Sequence, residues 1–402
     1  EEIMNIVFNV WDLRLGMKIA IIAPALPYKG GGARFVWEFS EYLSSQNDDV
    51  TIISLYSNRN LFKEKNNLKI VELADKNSMT QSIKFWINLS KTRKKIKQLI
   101  EKLNPDAVLF MNFPATLWAQ KFGKIPILCY PQDINLLYTD TYIKNLSKEK
   151  YFLWLIFRQI IRIIDKNRWK NFDQVICNSK FSALSISKKY DVDPIVIHPG
   201  TDTKFFIPTE KNFDEKSIML MANMKTPRAD FFLKSLPKLI KKREDFKIWI
   251  VGSDKEYRKD LEKLVNKLGI NHLTTFFGRV SDSELHELYS KAMVLINLQK
   301  LHPFGLIFIE SMSSGTPVIG CKPGATEEII SDGETGFLIN ENDSTKLIEY
   351  VEKILDDPNR SVLMGTKGRE RVQKNFELSL QFEKIRKVVQ NHIKSKKSIS
   401  DL

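Results

Sequence analysis

The feature that most constrains this chain is an alternation that runs from near one end to the other. Short runs rich in Ile, Val and Leu alternate with segments whose apolar residues recur at helical spacing. In the first half the strand-like runs are residues 18–23, 50–55, 106–111, 125–130, 174–178 and 195–198. In the second half they are residues 218–222, 247–251, 273–277, 293–297 and 318–319. Between them lie helical patterns such as Phe35, Val36, Phe39, Tyr42 and Leu43. Several runs are apolar throughout, as parallel strands covered on both faces should be. Two successive alternations of this kind predict two doubly wound α/β domains.

The boundary is expected where periodicity lapses, from Pro199-Gly200 to Pro208. This gives an extension over residues 1–16, a first domain over 17–200 and a second over 201–375. Leu378, Phe382, Ile385 and Val389 mark a last helix, residues 376–395, that either stays with the second domain or completes the first. Glu1 and Glu2 stand where a secretory signal would carry positive charge. Three cysteines, Cys129, Cys177 and Cys321, exclude a disulfide framework and predict a reducing cytoplasm.

Charge narrows the partners. The chain has a formal net charge of +14, and residues 1–200 hold 29 Lys+Arg against 19 Asp+Glu, a net of +10. Such a half suits a phosphorylated substrate, an anionic membrane surface or nucleic acid. Nucleic acid fits least, because no basic stripe is interleaved with stacking aromatics. Two basic amphipathic segments fit a membrane surface. In residues 83–103, Ile83, Trp86, Ile87, Ile96, Leu99 and Ile100 oppose Lys84, Lys91, Lys94, Lys95 and Lys102. In residues 151–169, Phe152, Leu153, Leu155, Ile156, Ile160 and Ile163 are interrupted by Arg158, Arg162 and Arg168. Either segment could instead turn its apolar face to the core. No run approaches the roughly 20 apolar residues of a membrane-spanning helix.

Two stretches carry ligand chemistry. Lys29-Gly30-Gly31-Gly32-Ala33-Arg34 follows the first strand and opens a helix. Glycines let backbone N–H groups approach an anion there, although a plain strand–helix turn has the same composition. The segment from His302-Pro303-Phe304-Gly305-Leu306 to Glu310 follows the strand at 293–297. A helix is predicted from about Gly305 to Gly315, starting at a carboxyl strand end. Glu310 is the only acid in that stretch and needs a partner, either a sugar hydroxyl pair or a lysine.

That segment resembles the donor-site signature of retaining GT-B glycosyltransferases of family four, the glycosyl transferases group 1. Further matches occur in the family's order. They are Met17 to Tyr42, Asp173-Gln174-Val175-Ile176-Cys177-Asn178-Ser179-Lys180-Phe181, and Val196-Ile197-His198-Pro199-Gly200-Thr201-Asp202. Phe277-Gly278-Arg279-Val280, Gly324-Ala325-Thr326-Glu327-Glu328 and Gly333-Glu334-Thr335-Gly336-Phe337-Leu338 follow. The resemblance covers roughly residues 17–392. It implies a GT-B fold, with two Rossmann-like domains facing a cleft. It implies a metal-independent, retaining hexosyltransferase that uses a nucleotide sugar as co-substrate and no cofactor.

By the same resemblance Glu310 would hold ribose hydroxyls, and the Phe304-Gly305-Leu306 backbone would face the sugar and diphosphate. Arg279 and Val280 would join the donor site, and Gly31 and Gly32 would close on the phosphates. His302 stands where the family has its first Glu. The family's diphosphate-binding Arg and Lys fall on Asn223 and Arg228, with Lys225 near enough to substitute for the first. Asp133 is the nearest match for acceptor contact or a proton relay, and could equally be a helix cap. Asp191-Val192-Asp193 reads as a surface turn rather than a metal site. The expectation is a glycosyltransferase acting on a lipid-linked or glycan acceptor, cytoplasmic and peripheral on an anionic membrane. The alternative is a non-catalytic GT-B protein that binds a sugar nucleotide or a partner.

Overall fold

A computed structural model describes residues 16–27, 31–74, 83–132, 148–210, 216–222, 228–252 and 255–400. The chain divides into two compact units, Glu1–Ile197 with Phe382–Leu402, and His198–Gln381.

The first unit contains β1 (Lys18–Ile22), β2 (Asp49–Ser54), β3 (Leu68–Glu72), β4 (Ala107–Met111), β5 (Ile127–Tyr130), β6 (Gln174–Cys177) and β7 (Ile195–Val196). They form one parallel sheet in the order β3-β2-β1-β4-β5-β6-β7. The second unit contains β8 (Ser217–Met221), β9 (Lys247–Val251), β10 (Thr274–Gly278), β11 (Val294–Ile296), β12 (Val318–Cys321) and β13 (Gly336–Ile339). Its parallel sheet runs β10-β9-β8-β11-β12-β13. Both orders wind outward in two directions from a central strand. The switch points lie between β1 and β4 in the first unit, and between β8 and β11 in the second. A crevice opens outside the carboxyl strand ends at such a point, because the flanking connections leave in opposite directions.

The apolar runs became central strands. All of Ile19–Ile22, Val108–Met111 and Ile218–Met221 is buried. Two strands were not among the sequence expectations. β3 alternates buried Leu68 and Ile70 with exposed Lys69, an edge pattern too polar to register as a covered strand. β13 lies inside the segment read as a glycine turn. A side chain at Gly336 would meet the Val318 carbonyl oxygen at 2.1 Å, so this glycine serves close strand approach.

The last helix runs from Leu378 to Ser400, and its residues from Phe382 onward belong to the first unit. Phe382 is buried with its ring 5.5, 5.3 and 5.6 Å from Phe35, Phe39 and Tyr42. Arg386 grips the fully buried Asp48 with Nε at 2.8 Å and Nη2 at 3.0 Å. Asp48 also accepts the Met17 amide. A buried carboxylate with a bidentate arginine and a backbone donor is a satisfied one.

The basic segment at 83–103 breaks at Asn88 into helices Ile83–Ile87 and Leu89–Leu103. Ile96 and Ile100, expected on a face that could meet lipid, are fully buried in the core. Ile87 is 75% exposed. In the helix Lys148–Trp169, Ile161, Asp165 and Trp169 face inward, while Ile160 and Ile163 are 50% and 64% exposed. Among the described residues no helix is long and apolar enough to cross a membrane.

Candidate functional site

At the second unit's switch point, β8 ends at Met221 and the chain returns at Arg228, the N-cap of the helix Ala229–Ser235. Arg228 has φ 59°, a left-handed conformation that a non-glycine residue holds only when its surroundings fix it. Its guanidinium lies 4.5 Å over the Phe231 ring and donates through Nη2 to Asn342 Oδ1 at 2.8 Å. Its Nη1 is buried and has no hydrogen-bond partner among the described residues. The charge on Arg228, with that on Lys300, offsets part of the rise that burial and Glu341 impose on the Cys321 thiol. Cys321 closes β12, so the arginine's charge is felt at the carboxyl ends of the strands.

The loop after β11 brings in His302. Its ring lies 6.0 Å from the Phe308 ring, and its carbonyl accepts the Ala325 amide at 3.0 Å. Its Nδ1 is buried without a partner among the described residues. Burial pushes the imidazole down to about 4, so the ring is neutral at pH 7. Gly305 follows at φ 109° and caps the helix Leu306–Ser313. A side chain there would strike the Phe308 ring at 2.7 Å, so only glycine fits. Phe304 is buried, 5.7 Å from the His198 ring and 5.9 Å from Phe376.

Glu310 is 7% exposed, and its Oε2 accepts from the Tyr289 hydroxyl at 3.2 Å. Tyr289 was not among the partners considered from sequence. Arg279 is exposed and Val280 half-buried, just past the carboxyl end of edge strand β10. Asn223 and Lys225 lie outside the described residues, as does Asp133. Asp191 is the left-handed C-cap of the helix Lys180–Tyr190, a chain-reversal role. Among the described residues no group of three or more His, Cys, Asp or Glu could hold a metal ion.

The first unit has its own cluster at the β1–β4 switch point. Gly31 is exposed at the start of the helix Gly31–Ser45, and a side chain there would meet nothing. A side chain at Gly32 would stand 3.1 Å from Asn112 Nδ2 and 3.2 Å from Gln132 Oε1. Asn112, at φ 66° just after β4, accepts the Gln132 amide on Oδ1 at 3.0 Å. Asn178 donates from Nδ2 to the Gln132 carbonyl at 2.8 Å. Ser179 beside it is a helix cap that accepts the Ser182 amide at 3.0 Å. The Asn-Ser pair quoted from the sequence thus has one member in a strand-end cluster and one in local capping. Asn112 and Gln132 carried no sequence signal, since neither lies in a periodic or glycine-rich pattern. Nor did the pairing of His198 Nε2 with Glu328 Oε2 at 2.8 Å in the second unit.

Two doubly wound parallel sheets, one with an arginine and a histidine at its switch point, define the chain's class. The fold is GT-B. Sucrose-phosphate synthase from Thermosynechococcus elongatus matches with a TM-score of 0.76 at 19% identity, over 94% of this chain and all of that one. HepE of Anabaena, in complex with UDP and glucose, matches with a TM-score of 0.71 at 15% identity, over 93% and 99%. The family model of Glycosyltransferase Family 4 matches residues 29–205, and that of Glycosyl transferases group 1 matches residues 202–371. The chain belongs to the GT4-like group 1 glycosyltransferases. An "Uncharacterized glycosyltransferase" of Haemophilus influenzae is 22% identical over 358 residues, 88% of this chain and 94% of that one. Several further relatives align over about half of their own length. The protein is a glycosyltransferase.

Proposed function

We propose that this glycosyltransferase moves a hexosyl group from a nucleotide sugar, held by the second unit, with retention at the anomeric carbon and no divalent metal. The observation that carries the reading is the pair of buried nitrogens at the second switch point, Arg228 Nη1 and His302 Nδ1, that have no partner among the described residues. A guanidinium with a buried N–H that no described residue accepts from suits a diphosphate oxygen, because Arg presents a rigid, charged donor fork. It can stabilise the charge that develops as the nucleoside diphosphate leaves. The neutral imidazole suits a sugar hydroxyl, which both donates and accepts. Glu310, whose Oε2 accepts from the Tyr289 hydroxyl, is assigned to the ribose hydroxyls. HepE, a structure of the same fold, holds UDP and glucose.

In the proposed step the bond from the anomeric carbon to the diphosphate oxygen breaks. The acceptor oxygen bonds to that carbon on the same face, and its proton passes to the leaving phosphate. The acceptor, assigned to the first unit, is lipid-linked or a glycan, used at an anionic membrane surface. The basic first unit and exposed Ile87, Ile160 and Ile163 support that placement.

The test is a thermal-shift screen of UDP-, GDP- and ADP-sugars, followed by turnover with and without EDTA. A donor at ~100 times its dissociation constant stabilises by about 2.7 kcal/mol. Binding without turnover on any lipid-linked or glycan acceptor would favour a non-catalytic sugar-nucleotide-binding role. No response to any donor would sink the donor assignment. For the membrane, binding to anionic vesicles should fall as salt rises and weaken in the triple Lys91→Gln, Lys94→Gln, Lys95→Gln variant. Equal binding to neutral and anionic vesicles, or binding to neither, would overturn that part alone.

A further inference from the structure

In the second unit the helix Asp282–Lys291 precedes β11 and the helix Leu306–Ser313 follows it. Tyr289 stands in the last turn of the first helix, and Glu310 in the body of the second. Tyr289 is fully buried, and its hydroxyl donates to Glu310 Oε2 at 3.2 Å. The backbone on both sides of this contact is held by other bonds. Thr316 Oγ1 lies 2.6 Å from the Tyr289 carbonyl oxygen and 3.1 Å from that of Ala292. The Thr316 amide donates to the Ser311 carbonyl at 3.0 Å. The Glu310 carbonyl accepts from the amide and the hydroxyl of Ser314, each at 3.0 Å. The Ser313 hydroxyl donates to the Phe206 carbonyl at 2.7 Å, and the Phe206 ring lies 6.1 Å from the Tyr289 ring.

These bonds fix where the two side chains start, but not how the carboxylate is turned. The last torsion of a glutamate is broad, so the plane of its two oxygens follows the groups that donate to it. Ribose presents two neighbouring hydroxyls. A carboxylate that accepts from both must be turned toward both, because hydrogen bonds weaken steeply when misaligned. A hydroxyl held on Oε2 by a fully buried ring orients the carboxylate before a nucleotide arrives. A group already oriented loses less freedom on binding.

We propose that Tyr289 is a positioning residue for nucleotide recognition. Its hydroxyl turns the Glu310 carboxylate to the angle that reads the ribose hydroxyls, and so sets the preference for ribonucleotides over 2′-deoxyribonucleotides. This role rests on the assignment of Glu310 to the ribose. Tyr289 itself touches no ligand. A tyrosine that only filled the space between the two helices would add to the melting temperature, but would be indifferent to the sugar of the nucleotide.

The experiment uses the full chain and isothermal titration with UDP, GDP and ADP and their 2′-deoxy counterparts. It reads the ratio of the two affinities for the base that binds best. The wild type should prefer the ribonucleotide by about tenfold, the scale of a hydrogen bond to a charged group, and Glu310→Gln should remove most of that preference. Tyr289→Phe keeps the ring beside Phe206 and should cut the ratio by about threefold, the scale of one ordinary hydrogen bond. The loss should fall on the ribonucleotide and leave affinity for the 2′-deoxy form unchanged. The double variant Tyr289→Phe with Glu310→Gln should bind the ribonucleotide no more weakly than Glu310→Gln alone, because the tyrosine acts through that carboxylate. It also carries the test if Tyr289→Phe alone fails to fold, since it buries no charge that has lost a donor. A lower melting temperature in Tyr289→Phe with an unchanged ratio would mark a structural tyrosine and overturn the role, leaving Glu310 on the ribose. A double variant weaker than Glu310→Gln would do the same. An unchanged ratio in Glu310→Gln, or a wild type that binds none of these nucleotides, would overturn the ribose assignment and the positioning role with it.

Discussion

The two switch points of this protein are built from opposite kinds of polar group. At the first, Asn112, Gln132 and Asn178 are neutral, and the contacts among them are made by amides and carbonyls that satisfy one another. At the second, Arg228 and His302 each keep a buried nitrogen without a partner among the described residues. The same topology therefore holds one self-satisfied cluster and one incomplete cluster. The incomplete one resembles a site that a ligand finishes, because a buried donor is expensive until something accepts from it. The satisfied one resembles a rigid platform, whose changes should register in stability before they register in turnover.

The sharpest way to break this contrast is Arg228→Ala. If Nη1 meets the leaving diphosphate, kcat should fall by about two orders of magnitude, as on removing one preorganised donor. The melting temperature should change little, since the side chain's neighbours are Asn342 and the Phe231 face. An unchanged kcat would place the guanidinium away from the phosphates. Glu310→Gln comes next. It retains an acceptor for Tyr289 but loses the charge, and nucleoside diphosphate affinity should drop about tenfold, in line with a hydrogen bond to a charged group. Isothermal titration would show it, and equal affinity would remove Glu310 from the ribose.

Asn112→Ala tests the platform. It leaves the Gln132 amide short of an acceptor and puts alanine at φ 66°, at a cost of about 1–2 kcal/mol. Melting temperature should fall by several degrees while donor KM holds. The reverse pattern would make the first cluster a ligand site too. The smallest effect concerns acid. His302 titrates near 4 in the folded chain and near 6.5 when unfolded. As pH falls through that window the unfolded state takes up the proton first, so stability present above about 6.5 is lost on the way to about 4. His302→Gln should shrink the difference in melting temperature between pH 7 and pH 5. An identical difference would mean that the imidazole is not protected from water.

Particular residues mark how far the sequence could be read. The two α/β alternations, the helix opened by Gly305 and the ordered family motifs are local signals. A strand's period, a glycine's left-handed angle and a serine cap act over a few residues, so they survive in one dimension. The arrangement of Asn112, Gln132 and Asn178 does not, because those residues are brought together by β4, β5 and β6 lying side by side. The same reason hid Asp165, which looks like one more charge on a basic helix until Thr116, Trp169 and Tyr190 surround it. Its burial raises its carboxyl above the ordinary value, against the pull of those hydrogen bonds.

The amphipathic segments show the division most plainly. Helical spacing fixed that Ile96 and Ile100 share a face, but not whether core or solvent would meet it; the sheet covered that face and left Ile87 exposed. By itself the sequence determined the class of fold, the glycine-capped helix and the charge of the first half, because these depend on backbone preference and composition. Only the tertiary structure decided which nitrogens of Arg93, Trp118, Arg168, Arg228 and His302 would be buried without a partner among the described residues. A hydrogen bond needs two groups within about 3 Å, and chain topology alone determines which groups meet.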